Sequence, residues 1–410
     1  MKKIIIIFFV MSVLTSFCFS QTWVVKLPAN SMYGFARDIQ NNIYAASISP
    51  KNIYRSSDGG ENWDTIFLGT PSNALNIDVD SMLNIYIPNQ SNGMFKTTNG
   101  GLNWTQLPTS AFNGRSLQSI CCGKNGYIYA GTTNGGVYRS TDYGATFPDS
   151  GIQGVTVVMI KVDRFNSNIV YACGSGAGTN NGFYYSTDAG LTWSANTNPI
   201  NHYDMTQANN GDVYTVSTST GYPLSKSTNN GANWTVVYNF AGAQRGICID
   251  LIGNFYTAGN GGVFRSTDGG TSFVNFNVTY SSNRLLSFQN KILLAVSGTT
   301  NGGVYIYTDT TISNSNPVRI PVPSDYFLSQ NFPNPFNPVT RITFSIPKDK
   351  FITLKIFDIT GREIQTLISE MKQGGTHTLE FKAGNLSSGV YFYKLECDGF
   401  SEVKSMILLK

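Results

Sequence analysis

The chain has 410 residues and a formal net charge of +4, with only 13% charged residues. So mild a balance excludes a nucleic-acid binder, which needs a dense basic face, and so long a chain calls for at least two domains. The cysteines left after residue 20 (Cys121, Cys122, Cys173, Cys248 and Cys397) form no CxxC pair and no usable spacing, which argues against a disulfide or zinc framework.

Residues 1–20 read as a cleaved secretory signal. Met1-Lys2-Lys3 supplies the basic start, Ile4–Leu14 an apolar core too short to span a bilayer, and Cys18-Phe19-Ser20 a cleavage site before Gln21. Phe17 stands where a lipoprotein signal at Cys18 wants a small residue. No later stretch approaches the about 18 apolar residues of a membrane helix.

One eight-residue phrase then recurs six times: SSDGGENW at 56, TTNGGLNW at 97, STDYGATF at 140, STDAGLTW at 186, STNNGANW at 227 and STDGGTSF at 266. In a tight turn between two strands, Asp58, Asn99, Asp142, Asp188, Asn229 and Asp268 accept backbone N–H bonds. The glycine covers a left-handed backbone. Trp63, Trp104, Phe147, Trp193, Trp234 and Phe273 are carried onto the outgoing strand to wedge between units. The starts are 41, 43, 46, 41 and 39 residues apart, the period of four-stranded propeller blades. A second phrase precedes each box (Ile43-Tyr44, Ile85-Tyr86, Ile128-Tyr129, Val170-Tyr171, Val213-Tyr214, Phe255-Tyr256) and reads as the second strand of each blade.

Leu285–Phe288, Lys291–Val296 and Gly303–Tyr307 give three strands of a seventh unit, whose box degenerates at Thr308-Asp309-Thr310-Thr311. Its fourth strand is expected from Gln21–Pro28, where Trp23 stands like a box tryptophan, so that the N-terminus closes the ring and removes free edges. The expected organisation is a signal (1–20), a seven-bladed propeller (21–312), a Pro-rich linker (313–324, SNSNPVRIPVPS) and a small antiparallel sandwich (325–410). The fold class is all-β.

The six boxes resemble the Asp-box (BNR) repeat of sialidase-like β-propellers. The last segment resembles the type A sorting domain of the type IX secretion system, on Leu328-Ser329-Gln330-Asn331-Phe332-Pro333-Asn334-Pro335-Phe336-Asn337-Pro338, Phe357-Asp358-Ile359-Thr360-Gly361-Arg362, Ser388-Gly389-Val390-Tyr391-Phe392-Tyr393 and the Lys404–Lys410 ending. That resemblance implies an Ig-like fold, export to the cell surface or beyond, and the secretion machinery with its sortase-like protease as partners.

For the propeller itself no reaction centre is legible. His202 and His377 fall in different domains, so neither a Ser-His-Asp triad nor a His-rich metal site is expected, and no cofactor is. A glycosidase would need two facing carboxylates; Asp38, Asp78, Asp204 and Asp250 lie on or near first strands. All five tryptophans occupy frame positions, leaving none to stack on a sugar. Arg37, Arg115, Arg245 and Arg284 are read as opening first strands, where they would ring the channel mouth and suit an acidic glycan or a partner's carboxylates. The favoured reading is a secreted or surface-attached binding propeller. The alternatives are an extracellular glycoside hydrolase and an assembly factor like the photosystem Asp-box propellers.

Overall fold

The computed structural model describes residues 22–67, 73–123, 125–175, 182–196, 200–219, 221–276, 278, 280–310, 326–328, 331, 334–397 and 399–409. The expected signal and linker lie outside these residues. In the N-terminal part, seven four-stranded antiparallel sheets follow one another. Blade 1 is typical: its strands Ser31–Arg37, Ile43–Ser49, Ile53–Ser56 and Asp64–Phe67 pair in sequence order. The first strands of blades 2 to 7 are Asp78–Val79, Leu117–Cys122, Thr156–Val162, His202–Gln207, Gln244–Ile249 and Ser282–Phe288. Each first strand packs on the next, and that of blade 7 packs on that of blade 1, so the sheets stand around an axial channel.

The ring closes through the N-terminus. Val24–Pro28 pairs with Gly303–Thr308, setting Val24 against Ile306, Val25 against Tyr305 and Leu27 against Val304. Trp23 seats its ring 5.6 Å from Tyr307 and 6.2 Å from Phe276. Glu61 in the first box takes Lys26 of the closing strand at 2.7 Å and Lys291 of blade 7 at 2.6 Å.

Each box is a closed hydrogen-bond unit. In the first, the Ser56 hydroxyl donates to Asp58 at 2.8 Å and accepts the Gly60 N–H at 2.8 Å. Asp58 also accepts the Asn62 N–H and side-chain amide, and Trp63 Nε1 donates to Gly60 O at 2.9 Å. Burial tends to raise the Asp58 pKa, but the bonds from Asn62 and Ser56 outweigh it and hold the carboxyl at about 2. Asn99 and Asn229 make the same turn with an amide oxygen. Gly60 has φ +89°, and a Cβ there would meet Ile306 of blade 7 at 2.8 Å. The residue before the glycine is left-handed as well, including non-glycines at Tyr143 (φ 56°), Ala189 (57°) and Asn230 (57°).

That left-handed residue is where neighbouring blades lock. Its carbonyl is turned toward the preceding blade: Tyr143 O lies 2.9 Å from the Tyr86 hydroxyl and accepts Lys96 Nζ at 2.6 Å. Ala189 O accepts the Tyr129 hydroxyl and Arg139 Nη1, each at 3.0 Å. The box aromatic fills the same seam, as Trp63 does between Tyr54 of blade 1 and Leu293 and Ile306 of blade 7. Where the seventh box degenerates, a buried ion pair replaces the carbonyl contact, Arg265 Nη2 to Asp309 at 2.8 Å.

The C-terminal unit is a two-sheet sandwich. Phe327–Leu328, Val339–Ile346 and Gly375–Lys382 form one sheet; Glu363–Lys372, Lys350–Phe357, Gly389–Cys397 and Phe400–Leu408 form the other, in that spatial order. Its core includes Phe336, Phe344 and, from the other sheet, Leu354 and Tyr393; the Tyr393 hydroxyl accepts the Asn331 N–H at 2.7 Å.

Candidate functional site at the ends of the axial channel

A first strand has one edge without a sheet partner, and its N–H and C=O groups need other bonds once buried. Polar side chains from neighbouring blades supply them. Asp78 accepts the Cys122 N–H at 2.8 Å, Asp204 the Ile247 N–H at 3.2 Å, and Ser119 donates to Val157 O at 3.1 Å. Lys161 donates to Met205 O and sits 3.2 Å from Asp204, which is 2% exposed. Burial pushes the Asp78 carboxyl up to about 6 against the pull of the Cys122 and Val79 N–H groups.

The four channel acids named from sequence therefore have structural partners. Asp38 accepts the N–H groups of Gln40 and Asn42, the Asn42 amide and the Tyr44 hydroxyl. Asp250 repeats this with Ile252 and Asn254. Asp80 does so with Met82, Asn84 and Tyr86. This Asp-x3-Asn-x-Tyr phrase recurs in the sequence and marks the turn from first to second strand; its Asn42-Ile43-Tyr44, Asn84-Ile85-Tyr86 and Asn254-Phe255-Tyr256 ends are legible as a turn and second strand, but the Asp that opens it is not. Among the described residues no three His, Cys, Asp or Glu side chains converge as a metal site.

The arginines divide between the two ends of the channel. Antiparallel order puts the turn from first to second strand at the same end as the boxes; the other end carries the loops between second and third strands. Arg245 and Arg284 lie near the start of their strands, at the loop end. Arg115 is at that end too, exposed, after the helical turn Thr109–Phe112 and two residues before its strand. Arg37 does not join them. It closes the Ser31–Arg37 strand, because the Asp38 turn follows at once, and so stands at the box end. The expected ring of four arginines is not assembled.

What gathers at the loop end instead is a set of β-bulges. The register of the first strand against the second shifts in six blades, setting out Tyr33, Gln118, Val158, Tyr203, Arg245 and Asn283. A bulge bends its strand and re-aims a side chain. Tyr33, Gln118, Tyr203 and Arg245 are half-buried there. The Arg284 guanidinium lies 5.1 Å from the centre of the Tyr203 ring, two blades away, and its Nη1 bonds Arg245 O at 2.5 Å. The Arg284 and Tyr203 side chains thus meet across two blades, and first strands pack closely here: a Cβ on Gly246 would sit 3.0 Å from Arg284 Cα. The sequence carried no sign of the bulges, since one extra residue leaves the alternation of a short strand readable.

Comparison with known proteins follows this division. Residues 330–409 match the secretion system C-terminal sorting domain and residues 184–195 the BNR/Asp-box repeat. No curated protein matches the chain. Among solved structures it is similar to YCF48 bound to a D1 peptide, at 17% identity and a TM-score of 0.56 over 70% of this chain and 97% of that one. It is also similar to a catalytically inactive virginiamycin B lyase from Staphylococcus aureus with quinupristin (13%, TM-score 0.57, 70% of this chain and all of that one). A third is the extracellular domain of the putative hybrid two component system BT3049 from B. thetaiotaomicron (12%, TM-score 0.53, 94% of this chain and 57% of that one). At these identities the likeness is one of fold. No helix of the described residues is long and apolar enough to cross a membrane. The chain is an Asp-box β-propeller joined to a type IX secretion sorting domain, and it is sent to the cell surface or outside.

Proposed function

We propose that the propeller is a binding module displayed or released outside the cell, and that it takes an anionic glycan or a carboxylate-bearing protein partner at the loop end of its channel. The observation that carries this reading is the Arg284 guanidinium lying over the Tyr203 ring above the channel, beside the bulge at Arg245 whose carbonyl it bonds. Aromatic faces and guanidinium forks together suit a ligand with a carboxylate or sulfate beside an apolar ring face. Arg115 and Tyr33 extend the same rim. The engagement of Asp38, Asp78, Asp204 and Asp250 in backbone and side-chain bonds supports binding over hydrolysis. YCF48, which shares the fold, is seen with a peptide bound.

Arg245→Ala combined with Arg284→Ala, presented beside wild type to an array of acidic and neutral glycans and to surface extracts of the source cells, tests this. Loss of an acidic-ligand signal by about tenfold or more is expected, from about 1.5–3 kcal/mol for each charge-assisted bond. Undiminished binding by the double variant would end the proposal.

A further inference from the structure

The six boxes share one turn but fill the seam to the preceding blade differently. In the first, second and fourth boxes the indole folds back over its own glycine: Trp63 Nε1 donates to Gly60 O at 2.9 Å, Trp104 Nε1 to Gly101 O at 3.1 Å and Trp193 Nε1 to Gly190 O at 3.2 Å. So held, the ring lies against the fourth strand of the preceding blade. Trp104 stacks on Phe67 of blade 1 at 4.6 Å, and a Cβ on Gly151 of blade 3 would sit 3.0 Å from Trp193. In the fifth box Trp234 packs against Phe183 of blade 4 at 4.7 Å. The sixth has only Phe273, but Tyr238 from the fourth strand of blade 5, Thr235–Asn239, sets a second ring 5.0 Å away.

The third box is the exception. Its Phe147 is 5% exposed and turned inward onto Phe112 of the helical turn at 5.1 Å, whereas the four box tryptophans are half-buried. The fourth strand of blade 2, Thr105–Leu107, carries no ring. A cleft of about 220 Å³ opens between them. Gly144 and Ala145 of the box form one wall; Met94 and Lys96 of the third strand of blade 2, Gly93–Thr97, and Gln106 and Leu107 of the fourth form the other. It is smaller than the about 300–1,000 Å³ of a pocket for a whole drug-sized ligand. Met94 and Leu107 make it apolar, and Lys96, whose ammonium bonds Tyr143 O at 2.6 Å and lies 5.3 Å from the Tyr86 ring, stands at its side.

We infer that the cleft between blades 2 and 3 is a docking pocket for a tryptophan side chain of a protein partner. The sibling seams supply the template: the equivalent place holds an indole whose N–H bonds the box glycine carbonyl, and Phe147 offers Gly144 O no such donor. An incoming indole would also turn a π-face to Lys96. One ring buried alone binds weakly, so its use is as the anchor of a wider interface, a part in which tryptophan is enriched. The pocket lies in an outer seam and stands whether or not the loop-end mouth binds a ligand.

The test is a saturation-transfer titration of the mature chain with N-acetyl-tryptophanamide, beside N-acetyl-leucinamide as the aliphatic control. Wild type should bind the indole saturably and the leucine probe about fivefold or more weakly. Phe147→Trp restores the box indole and should occupy the cleft from within. Ala145→Glu gives the third box the residue that the first has in Glu61, which reaches Lys291 of the preceding blade at 2.6 Å, and should bridge to Lys96 across the opening. Ala145 is exposed in its turn, so this second variant folds even where a larger ring at 147 disturbs Phe112. Each variant with the far-ultraviolet dichroism of wild type should bind the indole probe about tenfold or more weakly, and Arg245→Ala, at the loop end, should bind it as wild type does. The inference falls if wild type does not bind the indole saturably, if the leucine probe binds as well, or if folded Ala145→Glu binds as wild type does.

Discussion

Acidification should destabilise this propeller through one buried histidine, and the effect can be isolated. His202 is 1% exposed, between Phe183 at 5.7 Å and Trp234 at 5.2 Å, with Nδ1 2.7 Å from the Thr215 hydroxyl. Nε2 is buried without a partner, so a second ring proton would have nowhere to go. Burial accordingly lowers its pKa from 6.5 to about 4. Between those values the unfolded chain binds the extra proton and the folded chain does not, so the stability is fully present above about pH 6.5 and is lost as pH falls toward 4. By linkage the loss between pH 7 and pH 5 is about 2 kcal/mol. Asp78 works in the opposite direction, because its carboxyl is raised to about 6 and folding takes up a proton there as the pH falls below that value. The wild-type slope alone is therefore ambiguous. The informative quantity is the difference between wild type and His202→Gln, which keeps a polar group beside Thr215 and cannot titrate. Urea unfolding at pH 7, 6 and 5 should show wild type losing about 2 kcal/mol relative to the variant. A difference that stays constant with pH would refute the reasoning.

Three further changes probe the ring. Ala189→Gly should raise stability by about 1 kcal/mol in urea unfolding, because a left-handed residue with a Cβ costs about 1–2 kcal/mol and glycine returns part of that as chain entropy. Tyr86→Phe removes the hydroxyl that lies 2.9 Å from both Asp80 and Tyr143 O, and should cost about 1–3 kcal/mol by the same measurement with the far-ultraviolet dichroism unchanged. Lys161→Met leaves Asp204 buried with only N–H donors; since Lys161 is 38% exposed and screened, the expected cost is about 2 kcal/mol, reduced when Asp204→Asn is added. A neutral Lys161→Met would mean that water replaces the ammonium.

The boxes were legible because every requirement they meet is local. A hydroxyl, a carboxylate two residues on and a glycine two further complete a turn without help from the rest of the chain, so the phrase survives six times in recognisable form. Ring closure was legible for a related reason: Leu27-Pro28 repeats Leu107-Pro108 after a tryptophan, and a seventh set of three strands was short of one. The sorting domain carried its own ordered phrases, and Asn331 and Phe336 are seen to be packed into its core.

The site was legible only in part, and the residue that went astray shows why. Ala36-Arg37-Asp38 and Gln244-Arg245-Gly246 look alike as an arginine beside an apolar strand, yet they occupy opposite ends of it. Direction along the strand is fixed by the carboxylate that starts the following turn, and Asp38, Asp80 and Asp250 each stand four residues before an asparagine and six before a tyrosine. Aligning on that phrase would have set Arg37 beside Val79 and Ile249, at the box end. The bulges had no such marker. A bulge at Tyr203 or Arg245 is a matter of register between two strands, and beside the second of them the first strands of blades 6 and 7 come so close that a Cβ on Gly246 would sit 3.0 Å from Arg284 Cα. What brings Arg284 of blade 7 over Tyr203 of blade 5 is a property of the closed ring, and single strands do not encode it.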